Sequence, residues 1–434
     1  MSESVNAIEE YYRYYSELGR MFNEDGLLHV LYCFMNSYTH TFKCDCGLAQ
    51  HDACFKRKYD SPTQLKKRTR SNTSVANFPV REIKFHSLKV LSPINFVTMD
   101  STKVFSKLRS LECSGVNLTN RDLKNIGRMT CLIALDISKN NVTELNHLGA
   151  MPKLKFLDCS FNNITFGNSD SDLPFGHNLE YLKCNDTKIV DSTVLNKCTS
   201  LRTLSVHNCT LKDINFTKYM PLLINLYVSC NFISTLSPLE NNANLKKFNF
   251  KNNVIDNITY LQKNTNLMLL DGSNNCLADR LDLSPFKNLV DARFSYNEIT
   301  EIDGIEFPNL VLLDIRQTKI KNLNVLANSP KLSALHIDST SISDITPICK
   351  MPINIFSCNR VPILPTQLIQ LTQLQTLSCT NSMFLSVNVI SSFPRLKQLY
   401  CSWQQLVHST CVYITQHNIE LFVNNRKVVI IIGS

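Results

Sequence analysis

No stretch of this sequence approaches the ~20 consecutive apolar residues that a membrane-spanning helix needs. The nearest are the terminal Val428-Val429-Ile430-Ile431-Ile432 and the mixed run Leu27–Met35, so an integral membrane protein is not expected. Equally absent are a P-loop, a dinucleotide fingerprint, a nucleophile elbow and a His-Glu-x-x-His pair, and the histidines and carboxylates are scattered rather than grouped. No catalytic residue is therefore assigned and a non-enzyme is expected. The opening Met1-Ser2-Glu3-Ser4-Val5 and the residues after it show neither a basic nor an apolar leader segment, so the chain is expected to stay inside the cell, cytoplasmic or nuclear. In that setting its 17 cysteines are expected to be reduced thiols, and sequons such as Asn117-Leu118-Thr119 are by-products of an Asn- and Thr-rich pattern. A strong, spread positive charge is missing too. The formal charge is +9, but residues 56–70 hold seven Lys or Arg against one Asp, leaving only +3 for everything else.

What the sequence does have is length and a period. At 434 residues it exceeds the size at which one globular core keeps growing, and 44% apolar against 19% charged residues is enough to fold most of it. Fourteen units begin at Leu108, Leu132, Leu154, Leu179, Leu201, Leu223, Leu245, Leu267, Leu289, Leu310, Leu332, Ile353, Leu374 and Leu396, at intervals of 21 to 25 residues and most often 22. Counting the first residue as i, positions i+3 and i+10 are apolar in every unit. Such a period is the mark of a solenoid whose units bury one face against their neighbours.

Position i+5 alternates Cys113, Cys159, Cys184, Cys358, Cys379 and Cys401 with Ile, Val and Phe in other units. A free cysteine packs as a small apolar residue, so these thiols are read as core rather than as nucleophiles or ligands. Position i+8 is Asn140, Asn162, Asn231, Asn253, Asn275 or Asn297, with Thr187, Cys209, Thr318 and Thr340 in other units. An inward carboxamide there can pair the backbone groups that a turn leaves over, and stacking makes a ladder of them.

The pattern Leu-x-x-Leu-x-Leu-x-x-Asn-x-Leu resembles that of leucine-rich repeat proteins, and it runs through about three quarters of the chain. Unit lengths of 21 and 22 resemble the short class found in phosphatase-regulator and internalin-type repeats. The resemblance implies an α/β solenoid, a horseshoe or arc with a parallel β-sheet on its concave face and 3₁₀ or irregular turns on its convex side. Apolar pairs three apart in the second half of units, such as Leu145/Leu148 and Ile302/Ile305, fit such turns because side chains at i and i+3 eclipse in a 3₁₀ helix.

The ends are expected to differ from the body. Val80, Ile83, Phe85, Leu88 and Val90 repeat the same rhythm, which makes 80–107 an irregular capping unit ahead of the repeats at 108–417. Residues 418–434 read as capping strands, with Asn424-Asn425-Arg426-Lys427 joining two apolar runs as a hairpin. Residues 1–55 show helical spacing, and 56–79 read as a basic, polar linker that also resembles a bipartite import signal. Cys44, Cys46, His51 and Cys54 are residue types that zinc prefers, at a spacing unlike the common zinc-finger patterns, and make the one candidate metal site.

Function is expected on the concave sheet, where i+2, i+4 and i+6 point outward while i+3 and i+5 go inward. Those positions carry an acidic group, Glu112, Asp136 and Asp158, and the candidate contact residues Phe156, Tyr181, Tyr227, Lys247, Lys251, Asp271, Asp291, Arg293, Asp314, Arg316, His336 and Asp338. Tyr and Arg commonly anchor protein interfaces, so a protein partner gripped by an adaptor or regulatory subunit is the expected function. The bland reading is that Asp and Arg on neighbouring strands neutralise one another. The alternative function places activity in the N-terminal segment, as a zinc-binding or basic module on nucleic acid with the repeats as its targeting arm.

Overall fold

The computed structural model describes residues 108–430, apart from 169–172, 305 and 384, together with the strand Glu82–His86. The expected N-terminal helices, the basic run and the candidate ligands Cys44, Cys46, His51 and Cys54 lie outside the described residues.

Each of the fourteen units contributes one short strand, from Ser110–Ser114 in the first to Gln398–Cys401 in the last. Every strand starts two residues after its unit's first apolar residue, and each pairs in parallel, in the same register, with the strand of the next unit. With the strands at the two ends this makes one sheet of 17. The reason is packing. Leu111, Leu135, Leu157 and Leu182 at i+3, and the six cysteines at i+5, are at most 1% exposed and form one continuous core along the solenoid. A Leu at i+3 and a small or branched side chain at i+5 fill that interior only if every unit enters at the same height.

After its strand the chain must leave the sheet, and it does so by one device repeated. Position i+7 is left-handed in thirteen of the units, among them Gly115 (φ 68°), Lys139 (φ 56°), Phe161 (φ 56°), Asn252 (φ 56°), Tyr296 (φ 58°) and Arg360 (φ 58°). In this conformation the amide of Lys139 reaches the Ser160 carbonyl at 2.8 Å and that of Tyr296 the Arg316 carbonyl at 2.8 Å. The asparagine one residue later closes the turn. Asn231 accepts from the amides of Cys209 and Leu211, each at 3.0 Å, and donates to the carbonyls of Val206 at 2.8 Å and Val228 at 2.9 Å. Asn140, Asn162, Asn253, Asn275 and Asn297 are placed in the same way. Thr187, Thr318 and Thr340 donate to the carbonyl three residues back, Thr187 also lying 3.8 Å from the Cys209 sulfur, and Cys209 donates to the Cys184 carbonyl at 3.0 Å.

The convex side is made mostly of single 3₁₀ turns, such as Asn146–Leu148, Ser237–Leu239 and Asn324–Leu326, with short α-helices at Asn120–Ile126, Pro365–Leu368 and Val387–Ser391. Two units depart from the expected turn. Ala278–Asp282 and Glu298–Asp303 pair in parallel as a second small sheet, so Ile302 sits in a strand. Ile299 and Ile302 are three apart, and both are buried because the pairing skips Thr300, a bulge that lets the strand turn both isoleucines inward. Arg280 ties this sheet across to Asp303 at 2.8 Å and Glu301 at 3.5 Å.

At the start, Glu82–His86 adds a parallel strand with Ile83 opposite Leu111 and Phe85 opposite Cys113. At the other end the helix His408–Gln416 precedes Glu420–Val423, which continues the parallel order. Asn424 (φ 51°) and Asn425 (φ 61°) then reverse the chain into Arg426–Val428, which pairs antiparallel. Two successive left-handed residues are what a tight two-residue hairpin turn requires.

Candidate functional site

The concave face is built of three files of side chains, one each from i+2, i+4 and i+6, running from unit to unit across the strands. All twelve residues expected there lie on it, but they do not form one cluster. Phe156 and Tyr181, opposite one another on neighbouring strands, stack with ring centroids 4.3 Å apart and planes 15° from parallel. Tyr227 lies in the middle file, opposite Ser205 on one side and Asn249 on the other, apart from that pair. Burial pushes its phenol up from the ordinary value. Lys247 stands opposite Leu269, and Lys251 is exposed.

Acidic residues of the middle file do two jobs. Asp136 accepts the Ser138 amide at 2.8 Å, Asp158 that of Ser160 at 3.0 Å and Asp271 that of Ser273 at 3.1 Å, each tying off the end of its own strand. The same bonds hold the carboxylates in file on the sheet. Asp136 and Asp158 are opposite one another, and burial followed by the Asp158 charge pushes the Asp136 carboxyl above its usual value. Lys183 reaches Asp158 at 3.4 Å.

The arginines differ from the expected arrangement. Arg293 is held by both oxygens of Asp291 at 2.8 Å, and Arg316 by both oxygens of Asp314 at 2.8 and 2.6 Å, each pair two residues apart on a single strand rather than across strands. These two-pronged bonds raise both guanidinium values. Asp338 accepts from the Ser357 hydroxyl at 2.6 Å and the Asn359 amide at 2.8 Å. Between them His336 is largely covered, and burial lowers its imidazole value against the pull of Asp314.

Two features of the face were not singled out from the sequence. Leu312, Ala334 and the exposed Ile355 make an apolar row in the i+2 file, which the same outward-position count contains. At the far end Tyr400 stacks on Phe422 at 4.4 Å, extending the file onto the capping strand. Across the i+2, i+4 and i+6 positions of the fourteen units there are seven carboxylates against five Lys or Arg, an acidic surplus in a chain whose total is +9.

No family model matches this chain and no curated protein matches it. Solved structures do. A leucine-rich repeat protein of Leptospira interrogans is similar at 19% identity and a TM-score of 0.65, over 84% of this chain and 98% of that one. The functional domain of InlJ from Listeria monocytogenes, which includes a cysteine ladder, is similar at 24% identity and a TM-score of 0.56, over 69% of each chain. The chain has the leucine-rich repeat fold. A third leucine-rich repeat relative in shape is the Arabidopsis receptor kinase HAESA, solved with the peptide hormone IDA and the co-receptor SERK1 (18% identity, TM-score 0.61, 82% of this chain and 66% of that one).

Proposed function

We propose that this leucine-rich repeat protein is a non-enzymatic, intracellular adaptor or regulatory subunit that grips a protein partner on its concave face. The observation that carries the reading is the face itself: aromatic side chains, Phe156, Tyr181 and Tyr227, on strands whose other outward residues are polar or charged. A wet strand face without a partner is ordinarily filled by smaller polar groups, and large flat side chains are what protein interfaces use as anchors. The structure of HAESA with a peptide hormone is a precedent for polypeptide binding by this fold, though not for the partner here. An intracellular setting suits the buried, unpaired thiols Cys113, Cys159, Cys358, Cys379 and Cys401 of the i+5 file, which burial pushes up, Cys401 to about 12, and so keeps protonated and unreactive.

Affinity capture from native lysate, comparing the intact chain with a Tyr181→Ala/Tyr227→Ala variant of unchanged melting temperature, tests this. A protein retained by the first and lost by the second is expected. Equal capture by both would move the binding surface elsewhere.

A further inference from the structure

We infer that the strand Arg426–Val428 is a docking edge for a second copy of this chain, the two strands pairing antiparallel about a twofold axis at Val428. Hydrogen-bond parity is the first ground. The amide of Glu420 donates to the Lys397 carbonyl at 2.8 Å, so in Glu420–Val423 the even-numbered residues turn their backbone groups to the last repeat. Leu421 and Val423 turn theirs the other way, to Val428 and Arg426, which are thereby engaged inside the hairpin. The amides and carbonyls of Lys427 and, as the alternation runs on, of Val429 point away from it. That the alternation does run on is seen in the side chains: Val428 and Ile430 pack against the core, while Val429 between them is 81% exposed. Among the described residues no strand pairs with this outer edge.

A second copy of the same edge meets each of these groups. With Val428 on the axis, Lys427 falls opposite Val429 of the second copy, and each such pair can exchange both its N–H···O=C bonds. The side chains agree with the backbone. A twofold axis normal to the sheet keeps core side with core side, so Leu421 and Val428 meet the second copy's Val428 and Leu421 in one apolar row. Charge chooses the register. Centring the pair on Lys427 would set that ammonium against itself, whereas centring it on Val428 sets each ammonium beside the exposed Val429 of the other copy. Lys427 is already held by Glu420 of its own hairpin, so an acidic strand from a different protein would find its cation taken. Arg426 comes opposite Ile430, which the methylene stem of an arginine can cover. Because each copy uses the same edge, the pairing closes at two. It is independent of the partner gripped on the concave face, whose rows would continue from one copy into the other.

The test is sedimentation velocity of the purified full chain over a concentration series, beside Val429→Pro. The Val429 amide serves only the second copy, so proline removes it without touching a bond of the hairpin. The expected result is a two-copy species that grows with concentration and is lost in Val429→Pro at an unchanged melting temperature. A one-copy mass throughout overturns the inference, as does a two-copy species that the proline variant keeps, or a ladder of larger species. Val428→Cys tests the same pairing without proline. At the axis position 428 faces itself in a pair without direct hydrogen bonds, its α-carbons about 4.5 Å apart and within disulfide reach. Diamide is expected to link Val428→Cys into a covalent pair that neither the native chain nor Val429→Cys gives, because position 429 faces Lys427 rather than itself. Linking by both cysteine variants alike, or by neither, overturns the register and the twofold edge with it.

Discussion

Asn231 satisfies two backbone amides and two backbone carbonyls in the interior with one carboxamide. Replacing it by alanine orphans all four, and each buried unpaired group costs about 1–3 kcal/mol. Asn231→Ala is therefore expected to destabilise by on the order of 4 kcal/mol in urea unfolding, whereas Ser329→Ala, which deletes a buried hydroxyl with no hydrogen-bond partner, should be neutral or stabilising. An Asn231→Ala cost below about 1 kcal/mol would mean water replaces the carboxamide. The Asn ladder was legible because a polar residue recurs at a fixed place beside fixed apolar ones. A second ladder was not. Asn242 donates to the Met220 carbonyl at 2.9 Å and Asn264 to that of Asn242 at 2.8 Å, but only these two units carry Asn at i+19, where others have residues such as Met151, Cys198 and Phe286, so no recurring polar residue marks the position. Gly272 was readable only as an exception at i+5. The structure supplies the reason: a Cβ there would lie 2.5 Å from the ring of Phe250, which takes the space a side chain would have used.

At the scale of the strand, alternation fixed which residues face outward, while the pairing among them was not legible. A side chain has outward neighbours on its own strand and on the two beside it, and sequence spacing does not choose between them. The bland reading pairs Arg293 and Arg316 with carboxylates across strands, and instead each closes onto the aspartate two residues before it. The small sheet Ala278–Asp282/Glu298–Asp303 was likewise hidden, because an apolar pair three apart fits a 3₁₀ turn as well as it fits a bulged strand. The file of acids makes a prediction with a definite sign. Asp136 holds its proton more tightly folded than unfolded, so the folded chain loses stability as pH rises from the unfolded value, near 4, through the raised one, and the loss persists at neutral pH. Asp136→Asn should therefore raise the melting temperature at pH 7 and leave it nearly unchanged at pH 3. The same shift at both pH values would show that repulsion is not its cause. His336 acts at the other end of the scale. Its lowered value means that stability is lost as pH falls through about 6.5, the unfolded value.

Across the whole molecule, stability passes from neighbour to neighbour, so the ends decide how much of the array stays folded. The strand Glu420–Val423 lays Leu421 and Val423, both under 5% exposed, against Leu399 and Cys401 of the last unit. Deleting residues 419–434 strips those two side chains, roughly 3–6 kcal/mol of apolar burial, and bares a parallel strand edge. The expected result is an earlier urea transition in which the C-terminal units unfold first, together with light scattering from aggregation. A single cooperative transition at the original midpoint would show that the helix His408–Gln416 caps the stack alone. The array also divides each unit into a part that never changes length and a part that does. From the first leucine through the left-handed residue to the asparagine, spacing is constant, and the difference between 21-residue and 25-residue units falls entirely behind it. Gain or loss of a whole unit therefore adds or removes one row of the gripping surface and leaves every other row in register, so a lineage can change the length of the segment it holds without redesigning the residues that hold it.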